Sequence, residues 1–217
     1  MVVPHPFREK FLFLFMSLML YFVVRPFIEE YAEIGVLLDI FLSLILFSAI
    51  YAVSKKRRPL VIGLLIGLPP FIGLWLTHFV ESPSLILMED GFMVLFFGYT
   101  TVMFLSYVFR QDEVTFDTIM GAACVYFFIG LMWGFAFAMM ESLLPGSFRF
   151  GEGQAVGGSN LIYYSFVTQT TLGYGDITPV TTPARSLSVL EAVIGQLYLG
   201  VLIARLVGVH ISQSSGK

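Results

Sequence analysis

Six apolar stretches, at about residues 11 to 27, 34 to 53, 60 to 80, 92 to 109, 116 to 140 and 187 to 209, leave this chain little choice of solvent. Each is near the length that an α-helix needs to cross a hydrocarbon layer of about 30 Å, and a helix satisfies its own backbone polar groups there. Composition agrees, since 57% of the 217 residues are hydrophobic and only 12% are charged. The expectation is an all-α integral membrane protein with six transmembrane helices. No small-residue cleavage site follows the first stretch, so it is expected to remain as a helix. A net charge of -3 argues against a nucleic-acid partner, and the single cysteine, Cys124, excludes an internal disulfide framework.

An even number of spans puts both termini on one side. Of the 12 lysines and arginines, all but Arg25, Arg149 and Arg185 then share that side, including the run Lys55-Lys56-Arg57-Arg58. The positive-inside bias makes it the cytoplasmic side of a plasma or inner cell membrane. The opposite loops carry Glu29, Glu30, Glu33, Glu81, Glu89, Asp90 and Glu152, which serve solvation first and weak cation attraction second. The fourth stretch, Gly91 to Arg110, has no regular series of arginines, so no conventional voltage sensor is expected. Pro69-Pro70 should break or kink the third stretch. Asp39 and His78, near span ends, read as interfacial residues.

Between the last two stretches lies Thr170-Thr171-Leu172-Gly173-Tyr174-Gly175-Asp176. Glycine at alternate positions admits backbone angles that a Cβ resists, so successive carbonyls can turn the same way. Rings of such carbonyls from four chains can replace the water shell of a potassium ion. Thr171 can add a ring of hydroxyls, Leu172 and Tyr174 would brace the strand against a surrounding helix, and Asp176 would raise local cation concentration at the outer mouth. Gly-Tyr-Gly-Asp alone would also suit a simple turn. The threonine pair, an aromatic segment before it and an apolar helix on either side favour the first reading.

With these residues the chain resembles the potassium-channel pore family, whose filter is written T-V-G-Y-G-D. The resemblance runs from about residue 116 to 209 and covers an outer helix, a pore helix from Asn160 to Thr170, the filter, Pro179 and an inner helix. It is nearest to bacterial-type six-transmembrane potassium channels lacking voltage-sensor arginines and a cytosolic ligand domain. The resemblance implies a re-entrant pore helix and filter, a homotetramer among membrane lipids, and passive potassium conduction. Potassium would meet the carbonyls of Thr171, Leu172, Gly173 and Tyr174, with Gly175 completing the filter and Asp176 at its outer mouth. Gly195 aligns with a gating hinge, and Gln196, Gly200 and Ala204 with cavity-lining positions. A silent or regulatory subunit, a weakly selective cation channel and the pore of a coupled potassium transporter are the alternatives. Leu172 replaces the family's valine. Val167 stands where some members carry a glutamate that binds the filter aspartate, so Asp176 is expected to use Tyr163 or Tyr164.

The implied division is a four-helix peripheral domain over 1–110 and a pore domain over 111–217. Gly130, Gly134 and Ala138 make a small-residue face expected to receive the inner helix, and Trp133 with the many phenylalanines reads as lipid-facing or packing. Ala192, Gln196, Gly200 and Ala204 repeat every four residues and suit the wall of a water-filled cavity. Glu191, at membrane depth, calls for a buried partner, expected to be Thr168 or Thr170. Arg205 is expected to anchor the inner helix to headgroups or an acid. No metal-ligand spacing, phosphate-binding loop or nucleophile-base pair is present, so no enzyme is expected, and no cofactor beyond potassium as permeant ion.

Overall fold

The computed structural model describes residues 10–29, 35–53, 57–77, 79–80, 82–111, 113–151 and 157–215. Their order is α1 (Lys10–Glu29), α2 (Gly35–Val53), α3 (Arg57–Leu76), α4 (Pro83–Phe109), α5 (Phe116–Leu143), β1 (Phe148–Arg149), α6 (Gly158–Gln169), β2 (Thr178–Pro179) and α7 (Thr182–Ser215). Glu30, Glu33, His78, Glu81 and Glu152 lie outside the described residues, as do Arg8, Lys55, Lys56 and Lys217. The side chains of Lys10, Arg25, Glu29, Asp39 and Arg57 do so too.

Two helix boundaries differ from expectation because start signals outrank hydropathy. The fourth helix begins at Pro83, not near 92, with Ser82 as its cap and proline in its first turn, where a missing N–H costs nothing. Glu89 and Asp90 interrupt the apolar pattern there without interrupting the helix. The last helix begins at Thr182, not 187. Thr181 Oγ1 accepts the Ala184 N–H at 3.4 Å, and the helix continues past 209 to Ser215. The third helix stays helical through Pro69 and Pro70, so of the expected break or kink the break does not occur.

By length and composition α4, α5 and α7 can each cross a membrane. In α1, α2 and α3 the described residues include apolar runs at Phe11–Val24, Ile40–Ile50 and Leu60–Leu76.

The long helix α5 is the centre of the packing, in contact with α4, α6, α1 and α7. Its seam with α4 is aromatic: Phe128 lies 5.4 Å from both Phe97 and Phe104, and Phe135 stacks on Phe97 at 5.9 Å. Such offset and edge contacts hold helices together where lipid removes the usual hydrophobic drive. Trp133 is buried and packs near Phe137, so it belongs to the interior rather than the lipid face. Helix α1 reaches across this core. Its Phe22 meets Phe166 of α6 edge-on at 4.7 Å, and the Phe11 N–H at its first turn donates to Asp117 Oδ1 of α5 at 3.3 Å. A single buried cluster thus runs from α1 to α7.

After α5 the chain turns on Glu141, which accepts the N–H groups of Gly146 at 2.7 Å and Phe148 at 3.0 Å. The two-stranded ribbon that follows pairs Phe148 with Pro179 and Arg149 with Thr178, antiparallel. It pins the chain on both sides of α6.

Candidate functional site

Helix α6 carries the site, and its sequence explains how it ends. The Thr171 N–H donates to the Thr168 carbonyl at 2.9 Å and the Leu172 N–H to the Val167 carbonyl at 2.9 Å. Those two bonds form a Schellman motif, which requires a left-handed residue at the first position beyond the cap. Thr171 fills it with φ +59. Glycine normally stands there, and a residue with a Cβ costs about 1–2 kcal/mol more. A strained residue of this kind points to a functional constraint.

The left-handed geometry then recurs at Gly173 (φ +58) and Gly175 (φ +76), whereas Leu172 and Tyr174 between them keep negative φ. The backbone sense alternates from Thr171 to Gly175. All five residues are exposed in the single chain, and no atom lies within 4 Å of where a Cβ would stand on Gly173 or Gly175. Leu172 and Tyr174 are 54% and 68% exposed, so this chain's own helices do not brace them as expected. Asp176 is half-buried and hydrogen-bonded to the Tyr163 hydroxyl. Tyr164 instead donates to Ser188 Oγ at 2.6 Å.

The inward face of α6 is mostly apolar, with Leu161, Ile162 and Val167 buried, but it carries two polar residues. Ser165 and Gln169, one turn apart, are both fully buried. Gln169 Nε2 donates to the Tyr126 carbonyl of α5 at 2.9 Å, and its own carbonyl accepts Gln196 Nε2 of α7 at 3.3 Å. Opposite, the small-residue face of α5 receives α6 and not the inner helix. A Cβ on Gly130 would stand 2.5 Å from Gln169 Oε1, and one on Gly134 would stand 2.8 Å from the Ile162 Cα. The expected partner of that face is therefore corrected. The reason is size: the short helix has to sit deep between α5 and α7, and only glycine lets it.

Glu191 is 0% exposed, and its partner is Ser165 rather than Thr168 or Thr170. Thr170 turns away, donating to the Phe166 carbonyl at 2.6 Å. Gly195 is buried one turn further along. Gln196, Gly200 and Ala204 are exposed, with no atom within 4 Å of a Cβ built on Gly200. Arg205 is also corrected: its guanidinium donates to the carbonyls of Phe109 at 2.6 Å and Gln111 at 3.0 Å, at the end of α4. Sequence reasoning passed over Ser165 and Gln169. Their signal was present as a polar pair four residues apart, matching Glu191 and Gly195 at the same spacing.

This geometry has counterparts among known proteins. Residues 119–210 match the ion channel family model. That span runs from the first turns of α5 through α6 and the exposed segment to near the end of α7. Over 64 residues the chain is also 36% identical to the two pore potassium channel c of Oryza sativa subsp. japonica, a match covering 30% of this chain and 14% of that relative. The chain thus spans only a small part of that relative's length. No solved structure matches the chain. The family match points to a membrane-embedded, non-enzymatic channel protein, with similarity on the potassium-channel side.

Proposed function

We propose that the chain forms a potassium-selective channel, with four identical copies placing Thr171, Leu172, Gly173, Tyr174 and Gly175 around one axis. The observation that carries this reading is the alternation of left-handed and negative φ along that segment. Alternation turns successive carbonyls to one side, and carbonyl rings substitute for ion hydration. The Thr171 hydroxyl adds oxygens at one mouth, and Asp176 attracts cations at the other. Potassium is the permeant ion, and the pathway needs no other cofactor.

A tetramer accounts for what a single chain leaves uncovered. Val189, Val193, Leu197 and Val201 of α7 are each exposed, and Leu172 and Tyr174 lack packing within the chain. Irregular backbone at membrane depth is tolerated where protein or a water-filled path surrounds it. Gln196, Gly200 and Ala204 then line the cavity below the filter, and Gly195 is the gating hinge. Helices α1 to α3, at 19 or 20 residues, are each about 30 Å long and complete six spans. With residues 1–110 as the peripheral domain and 111–217 as the pore domain, both termini are cytoplasmic in a cell membrane, in keeping with the basic residues.

Reversal potentials in planar bilayers under opposed potassium and sodium gradients test selectivity. A value near the potassium equilibrium potential is expected. One near zero would make this a weakly selective cation channel, and current only on co-expression with another chain would make it a silent subunit.

A further inference from the structure

The three elements behind the filter meet at one hydroxyl. Ser165 Oγ lies 2.7 Å from the Gly130 carbonyl of α5 and also within hydrogen-bond distance of Glu191 Oε1 of α7. A carbonyl oxygen can only accept, and a serine hydroxyl has one proton to give. That proton goes to Gly130. The second contact then needs its proton from Glu191.

We infer that Glu191 is a neutral carboxylic acid whose O–H donates to Ser165, making it a positioning residue that ties the inner helix, pore helix and outer helix together behind the filter. The surroundings support this independently of proton counting. Glu191 is fully buried, and its other oxygen, Oε2, has no hydrogen-bond partner. Such an orphan is costly for a carboxylate and far cheaper for the carbonyl oxygen of an acid. Among the described side chains no cation answers it. Neither α5 nor α6 contains Lys, Arg or His. On α7 itself Arg185 is committed to the Pro179 carbonyl and Arg205 to the end of α4. Among the described residues the titratable groups facing Glu191 are the hydroxyls of Tyr126 on α5 and Tyr164 on α6, neither of which supplies positive charge.

The sign of the pH effect follows. The neutral acid makes the tie, so the tie holds at lower pH and is lost as pH rises and Glu191 ionises. Glutamine keeps an N–H donor toward Ser165 and cannot ionise. Because this inference rests on the proposed channel function only for its flux readout, proton state and flux are measured separately.

The full-length protein in liposomes is examined by infrared spectroscopy and by potassium uptake across a pH series. Wild type is expected to show a protonated-carboxyl band that Glu191→Gln removes, that Ser165→Ala shifts, and that alkaline pH abolishes. Uptake should decline on the alkaline side for wild type, stay flat for Glu191→Gln, and fall about tenfold at all pH values for Glu191→Ala. Absence of that band at neutral pH, or equal losses in Glu191→Gln and Glu191→Ala, would overturn the inference. If Glu191→Gln does not fold, the Ser165→Ala shift and alkaline titration of wild type decide it. A band with these properties in a protein that passes no potassium would sustain the assignment of Glu191 while removing the channel reading.

Discussion

Gly195 of α7 meets Gln169 at the end of α6 so closely that a Cβ on the glycine would stand 2.7 Å from the Gln169 Cγ and 2.8 Å from its carbonyl oxygen. The contact gives this position a reason to be glycine that does not involve bending. The carbonyl concerned lies two residues before Thr171 and also accepts the Gln196 amide, so inner helix and filter base share one junction.

Gly195→Ala is therefore expected to destabilise the assembled protein by about 1–3 kcal/mol, the usual range for overpacking. Gly200→Ala, with open space around it, should be near neutral. Thermal unfolding in detergent, comparing the two, separates close packing from flexibility as the reason for the glycine.

Thr171 combines a left-handed backbone with an oxygen proposed to face ions. Thr171→Gly should relieve roughly 1–2 kcal/mol of backbone cost while removing the hydroxyl. The expected outcome is a melting temperature no lower than wild type together with weaker discrimination of potassium from sodium. Parallel melting and ion-flux measurements read both.

Arg205 closes the far end of the bundle against α4, with its guanidinium also 5.5 Å from the Phe109 ring. Arg205→Ala should cost about 1.5–3 kcal/mol, the range for hydrogen bonds to a charged group. Lysine should recover only part, because both carbonyls are met by one planar guanidinium nitrogen whose two N–H directions are fixed, and an ammonium on a shorter, flexible stem does not fix its donors. Hydrogen exchange is the check: amides near the end of α4 should lose protection in Arg205→Ala, and less so in Arg205→Lys.

Glu141 stabilises the turn after α5 by accepting two backbone N–H groups. Glu141→Ala leaves the Gly146 and Phe148 donors without that acceptor, and an expected loss of about 1–3 kcal/mol follows. Limited proteolysis at residues 144–148 should speed up in that variant.

What could be read from the sequence was whatever depends on local pattern. Apolar stretches located the helices, and alternate glycines located the exposed segment, because hydropathy and φ preference belong to single residues. Start signals were legible too, yet Ser82-Pro83 and Thr181 were outweighed by the charges and polar residues after them. Facing partners were not legible. The face at Gly130, Gly134 and Ala138 was evident, but whether α6 or α7 filled it depends on the depth at which a 12-residue helix sits. Glu191 was legible as a buried acid in need of a partner. Finding Ser165 required the register between α6 and α7, which no single-chain pattern encodes. Thr171 was legible as a filter residue, but its left-handed φ was not, because the end of α6 imposes it against the residue's own preference.

The most direct measurement is ion uptake into liposomes containing only this purified protein, with potassium, with sodium, and with Gly173→Val, which places a β-branched side chain at φ +58. Potassium uptake well above sodium uptake, abolished by that substitution while the protein remains assembled, is the expected result. Equal uptake of the two ions, or potassium uptake that survives Gly173→Val, would contradict a potassium filter built from Thr171 to Gly175.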